Sequence, residues 1–344
     1  MYCRDFITKY LLLILFTLLY LPTGCKNDSA SQKEPPETPV KSGIEDIKGV
    51  NWADPRDNFV QGWVIPSGLN RSDDSITVRV KADRILSGFI TNMGANTVRL
   101  PINQQSVNDD QWWPKYKGAP DIALEKGMKV IFAYWEGIKD GRIDDINQFW
   151  MMWQVIVDTY GTEDNVYYEI MNEPYGYSVR EWKDLAARWI DRYPGINRGK
   201  IIVAGSGYSD HVVSIGDDSR FDGCLFAQHI YNWWGNHTSV TGWENELRDR
   251  IGPYTNRTIV TEYGAPMTTG LDYTGDANND LSISFIQGVT NVLHEDNMGS
   301  CYWPGLRDND YYSIQKYENQ KMITTNTQGL VRIRYGWGFD LEAP

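Results

Sequence analysis

The chain has 344 residues, 45 Asp+Glu against 33 Lys+Arg, a net charge of −12 and 41% hydrophobic content. That length suits one large domain or two ordinary ones, and the apolar share excludes a disordered chain. An acidic surface repels phosphate backbones and excludes nucleic acid as the expected partner. Trp and Tyr are abundant, at 14 and 21 residues. They bring large buried area to a core and also suit a cleft that stacks sugar rings against aromatic faces.

At the N-terminus, Arg4 and Lys9 precede an apolar run over residues 10–21. That run fits the h-region of a signal peptide and falls short of a membrane span. Leu21-Pro22-Thr23-Gly24-Cys25 follows and resembles a bacterial lipoprotein signal, in which Cys25 becomes the lipidated first residue. Pro22 stands where such signals usually carry Leu; the alternative is an ordinary cleaved signal with an incidental Cys25. Either reading exports the protein. A lipid on Cys25 predicts an outer-membrane or cell-surface lipoprotein touching the membrane through that anchor only, and its absence a periplasmic or secreted protein. Residues 26–42 are polar and Pro-rich, with almost nothing to bury, and read as a solvated tether. The expected organisation is 1–24 signal, 25–43 tether and 44–344 a single catalytic domain, taken as a monomer. Cys224 and Cys301 sit in apolar runs and read as buried hydrophobes, not as a disulfide framework.

Strand-like runs follow at 47–52, 96–100, 129–133, 166–171, 201–204, 224–229, 258–262 and 299–303. Each is nearly continuous in apolar residues, as parallel strands covered on both faces are. Helical patterns over 77–93, 143–159, 178–192, 242–251 and 281–296 lie between them. This alternation predicts an α/β chain folded as a (β/α)8 TIM barrel. An open dinucleotide-binding sheet loses ground because no Gly-x-Gly-x-x-Gly turn follows the first strand. The tail after Trp303 is expected to wrap the barrel.

In such a barrel, chemistry sits at the C-terminal ends of the strands. Those ends carry Arg99, Tyr134-Trp135-Glu136, Asn172-Glu173-Pro174, His229 with Tyr231, Glu262-Tyr263-Gly264 and Trp303. Glu173 and Glu262, after strands four and seven, face each other across the mouth. Glycoside hydrolysis needs such a pair, one carboxyl to protonate the leaving oxygen and one to attack or to activate water.

The stretches ANTVRLPIN, EIMNEP, AQHIYNWW, VTEYG and CYWPG, in this order, resemble clan A glycoside hydrolases, most of all family 5, from about Gly49 to Trp303. The resemblance implies a retaining mechanism with Glu173 as acid/base and Glu262 as nucleophile. Arg99 would keep Glu262 ionised, Tyr231 would donate to the same carboxylate, and Asn172 would donate to the sugar 2-hydroxyl. His229 would bond near Glu173 or to a sugar hydroxyl, and Trp303 would floor the reacting sugar. Family 5 chains commonly carry a His at the end of strand three; here Tyr134, Trp135 and Glu136 stand there, with Trp135 and Glu136 as candidate sugar contacts. A finer resemblance, in GVNWADPRDNF, AYWEG, RIGPY, EYGAPMTTGLDY and YWPGLR, is to a bacterial subgroup with exo-acting furanosidases on β-D-galactofuranosides or α-L-arabinofuranosides. Endo-cleavage of a β-glucan or β-mannan is its rival. Trp63, Trp112 and Trp113, in long insertions after strands one and two, would either close the cleft into a pocket or line a groove. The expected partner is a polysaccharide or oligosaccharide.

Other classes fit less well. The mature chain offers only His211, His229, His237 and His294, with no metal-ligand spacing, so no metal and no cofactor is expected. Ala204-Gly-Ser-Gly-Tyr208 has its glycines out of place for a serine-esterase elbow. A non-catalytic glycan-binding protein has use for the tryptophans, but not for Glu173, Glu262, Asn172 and Arg99 together.

Overall fold

The computed structural model describes residues 43–339 and 344. The signal segment, Cys25 and the tether up to residue 42 lie outside them. Eight parallel strands, β1 (Lys48–Trp52), β2 (Thr97–Ile102), β3 (Lys129–Tyr134), β4 (Val166–Glu169), β5 (Ile201–Ala204), β6 (Leu225–Ile230), β7 (Thr258–Tyr263) and β8 (Ser300–Leu306), pair in sequence order. β1 also pairs with β8, which closes the barrel. The expected (β/α)8 barrel is what forms.

Helices cover its outside: α1 (Ser75–Gly88), α2 (Gly118–Glu125), α3 (Ile146–Tyr160), α4 (Val179–Arg192), α5 (Val240–Ile251), α6 (Leu281–Glu295) and α7 (Thr327–Gly336). Short polar side chains start most of them by accepting from the orphan amides of the first turn: Asp74 from Thr77, Asp145 from Asn147, Asp280 from Ser282. Ser178 and Glu181 form a reciprocal capping box on α4. After α1 the chain widens into a π turn over Phe89–Met93, which Gly94 ends in the left-handed region at φ 76°.

Because side chains alternate along a strand, each strand serves two cores. Val98, Leu100, Val130, Phe132 and Tyr168 face outward and pack with the helices. Ile131, Tyr167, Ile202, Leu225, Ile259 and Cys301 form a separate cluster inside the barrel. Two residues further along the strands the interior turns polar, with Arg99 and Glu169 both buried. Above them Ala53, Ala133, Trp135, Tyr231 and Trp303 cluster at the mouth. Cys224 and Cys301 are free and buried.

The tail packs along the outside of the barrel. It first adds a hairpin, β9 (Gln315–Glu318) and β10 (Lys321–Thr324), joined to the sheet where Leu306 pairs with Gln315. It then lays α7 on α6, where buried Arg332 donates to the Gln287 carbonyl at 2.8 Å and to the Thr290 hydroxyl at 2.7 Å. Among the described residues no helix is long and apolar enough to cross a membrane.

Candidate active site

Glu173 and Glu262 meet at the barrel mouth, with His229 between them. One nitrogen or oxygen of each residue lies within 4.8 Å of the others. His229 Nδ1 lies 2.9 Å from Glu173 Oε1, Arg99 donates to Glu262 Oε1 at 2.6 Å, and Tyr231 O–H donates to Glu262 Oε2 at 2.8 Å, while His229 Nε2 is buried without a hydrogen-bond partner among the described residues. The approach of the two carboxyls, with one oxygen of each within 4.8 Å of the other, is nearer the ~5 Å of a double-displacement site than the ~8 Å of an inverting one.

Arg99 organises this floor. Its Nε and one terminal nitrogen grip Glu169 at 2.6 and 2.8 Å, while the other nitrogen reaches both Glu262 and the Asn51 side-chain oxygen, the latter at 2.8 Å. It also donates to Asn172 Oδ1 at 2.6 Å. That bond aims the Asn172 amide, whose NH2 is buried without a partner among the described residues and is left to donate to a ligand. Burial alone would make Arg99 easier to deprotonate, but Glu169 and Glu262 raise its pKa and keep it charged.

The two carboxyls differ in environment. Burial, then the negative charge of Glu262, pushes Glu173 well above the usual carboxylate range. Burial also pushes Glu262 up, to about 7, while Arg99 and the Tyr231 hydrogen bond pull it back down. Glu173 therefore keeps its proton to higher pH than Glu262 does. His229 is held neutral by burial and by the Arg99 charge.

A cavity of about 430 Å³ lies over this pair, and Trp135, Tyr231 and Trp303 line it with Glu173 and Glu262. Trp135 and Trp303 stack with centroids 5.5 Å apart at 21°. Gly264 permits the close passage of β7's end beside β8, since a Cβ there would lie 2.0 Å from the Trp303 carbonyl oxygen. Arg99, Asn172 and His229 are buried beneath the lining; Arg99 reaches Glu262 and His229 reaches Glu173 from below.

Two expectations fail. Glu136 is fully buried outside the lining, accepting from the Gly141 amide at 3.1 Å with its other oxygen unpartnered, so it is no surface for a sugar. Trp63, Trp112 and Trp113 pack away from the cleft. Trp112 is buried because its indole N–H finds the Val64 carbonyl at 3.0 Å and its ring stacks on Trp63 at 5.4 Å. The cavity walls instead come from Asp57 and Phe59 after β1, Lys139 after β3, Tyr208 after β5, Trp233 and Trp234 after β6, and the segment after β8 from Arg307 to Tyr312. Of the buried partners missed in the sequence, Glu169 had a signal: a lone charge inside the run VYYEIM.

Residues 77–305 match the sequence profile of the cellulase family, glycosyl hydrolase family 5. An endoglucanase from Clostridium saccharobutylicum is 29% identical over 164 residues, 45% of this chain and 35% of that protein. The chain thus spans about a third of that relative's length. The catalytic domain of the major endoglucanase from Xanthomonas campestris pv. campestris superposes with a TM-score of 0.64 at 13% identity, covering 85% of this chain and 95% of that one. An endocellulase from Pyrococcus horikoshii, solved with cellotetraose, gives 0.63 at 14% identity over 85% and 92%. At these identities the structural likeness speaks for the barrel alone. The family match covers most of the barrel and both carboxylate-bearing strand ends, and the chain belongs to glycosyl hydrolase family 5.

Proposed function

We propose that this chain hydrolyses O-glycosidic bonds with retention of anomeric configuration. The observation that carries the reading is the approach of Glu173 to Glu262 within 4.8 Å, with Arg99 and Tyr231 both donating to Glu262. Protonated Glu173 gives its proton to the leaving oxygen while the Glu262 carboxylate attacks the anomeric carbon. The C–O bond to the leaving group breaks and a glycosyl ester on Glu262 forms. Glu173, now a carboxylate, takes a proton from water; the hydroxide adds to the same carbon, and the ester bond breaks to restore Glu262. The spare Asn172 N–H donors serve the 2-hydroxyl, a bond that strengthens as the ring flattens toward the oxocarbenium-like state.

The relative named an endoglucanase and the structural neighbour solved with cellotetraose support a β-glucan as the first substrate class. A second reading, release of terminal β-D-galactofuranosides or α-L-arabinofuranosides, is favoured by the rebuilt end of β3, where Trp135 stacks on Trp303 and no His stands. The test compares residues 44–344 with the Glu262→Gln variant on soluble β-glucans and on aryl furanosides. Glucan fragments lost in the variant would establish the first reading, aryl release lost in the variant the second. Turnover that survives in the variant would remove Glu262 from the chemistry. Export with a lipid on Cys25 belongs to the same proposal and would bring the site to glycans outside the cytoplasm.

A further inference from the structure

The two sides of the cavity are built differently. Over β8, β1 and β3 the rim is charged and tied together. Asp57 sits between two cations, with Arg307 at 3.1 Å on one carboxylate oxygen and Lys139 at 3.4 Å on the other. Arg307 is held from its own loop by Asp310 at 2.8 Å, and the Lys139 ammonium lies 4.6 Å from the centre of the Phe59 ring. Asp57 takes this position in the left-handed region, at φ 76°, followed by Asn58 at 63°. Asp and Asn are the non-glycine residues that reach this region most readily, and here the surrounding hydrogen bonds hold them in it. The surroundings here are explicit: buried Asn58 accepts from the Asp54 amide at 2.7 Å, and Asp54 in turn accepts from the Ile65 amide at 2.7 Å. Arg307 Nε is buried and has no hydrogen-bond partner among the described residues.

Over β4, β5 and β6 the rim is aromatic and open. Tyr175 stacks on Tyr208 at 4.3 Å, Tyr208 meets Trp234 at 5.6 Å, and Trp233 stacks on Tyr231 at 4.1 Å. Tyr208 and Trp233 are 44% and 57% exposed, so that although each has one face covered by its stacking partner, the rest of the ring is open to a sugar.

The chemistry orients a substrate between these walls. The proton donor Glu173 follows β4, so the leaving group departs toward the aromatic side. The sugar retained on Glu262 lies over Trp303 and Trp135, against the charged side. We infer that Asp57, Lys139, Arg307 and Asp310 form a cap that binds the hydroxyls of a terminal sugar, so that cleavage releases one unit from a non-reducing chain end. The inference rests on the hydrolase reading and adds residues and a mode of attack to it. Arg307, held by Asp310 at 2.8 Å and Asp57 at 3.1 Å, offers donors at set positions beside their carboxylates, with Lys139 as an exposed donor at the edge, which suits a ring bearing several hydroxyls and bars a continuing chain.

The experiment digests cellohexaose and a β-linked galactofuranosyl hexamer, each labelled at the reducing end, with the wild type, Arg307→Gln and Asp57→Asn. Thermal melts check that each variant folds, and either variant suffices if the other does not. The expected result is labelled pentamer plus free monosaccharide as first products from one hexamer. Either variant should then lose at least tenfold in kcat/KM, chiefly through KM, and should begin to give shorter labelled fragments. Mixed internal fragments from the wild type at the earliest times, or folded variants with unchanged KM and pattern, would overturn the cap and leave the hydrolase standing. No cleavage of either hexamer, together with no aryl-glycoside release sensitive to Glu262→Gln, would remove the hydrolase reading and the cap with it.

Discussion

Arg99 is bound more fully to Glu169 than to the candidate nucleophile. Two of its nitrogens hold Glu169 at 2.6 and 2.8 Å, against one at 2.6 Å for Glu262. Both members of the pair are buried. Removing one partner of a buried ion pair costs about 3–5 kcal/mol because the other is left uncompensated. Glu169→Gln should lie near the lower end, since Glu262 still faces Arg99, and urea unfolding at neutral pH would measure it. The same change leaves more of the Arg99 charge to Glu262, so the acid limb of kcat/KM should move to lower pH. A variant as stable as the wild type with an unmoved limb would show that Glu169 neither supports nor tunes the site.

The pH dependence follows from the two carboxyls. Activity needs Glu262 ionised, and burial sets its pKa at about 7, so the rate should fall as pH drops through neutrality. Activity also needs Glu173 protonated, and its pKa stands well above the ordinary range, so the falling limb lies on the alkaline side. The coupled pair predicts a bell with its optimum at or above neutral pH. Tyr231→Phe removes a hydrogen bond that lowers the Glu262 pKa, and should shift the rising limb to higher pH. Profiles of kcat/KM for both proteins decide this; a shift to lower pH would contradict the bond's assigned effect.

Glu173 has a further signature in leaving groups. Loss of general acid help costs about 10²–10⁴-fold where the leaving oxygen needs a proton. Glu173→Ala should therefore lose that much on unactivated glycosides and far less on a dinitrophenyl glycoside, whose leaving group departs as an anion. Added azide should then yield a glycosyl azide of retained configuration from the vacated acid/base side. Equal losses on both substrates would take the acid role from Glu173.

What was legible in the sequence was what depends on local pattern. The apolar run at residues 201–204 is β5 to the residue, and the other strands shifted by a few residues at their ends. Glu173, Glu262, Tyr231 and Arg99 are legible in the sequence because a barrel gathers its strand ends at one face. Asn51 and Glu169 are not, because their significance is a contact inside the barrel with Arg99, 48 and 70 residues away in sequence. Nor is the place of Trp112, because a tryptophan in an insertion looks the same on a cleft wall as in a helix layer. The ion pairs among Asp57, Lys139 and Arg307 join three separate loops, and no periodicity announces them.

Glu136 offers a test of the site's electrostatics without touching the lining. Burial pushes its pKa up from an ordinary 4.5 to about 8, with the Gly141 amide bond only partly opposing. An acid with a raised folded pKa contributes stability that is fully present below its unfolded pKa and is lost as pH rises through the folded value. In the wild type that loss should run from about pH 5 to about pH 8 and level off above it. Glu136→Gln cannot ionise, so whatever fixed cost its amide brings, the variant should gain on the wild type steadily as pH rises across that window. Parallel urea titrations at pH 5 and pH 9 give the difference directly. The gap should change by several kcal/mol in the variant's favour between them, and a gap that does not move would mean that Glu136 is already ionised in the folded protein at pH 5.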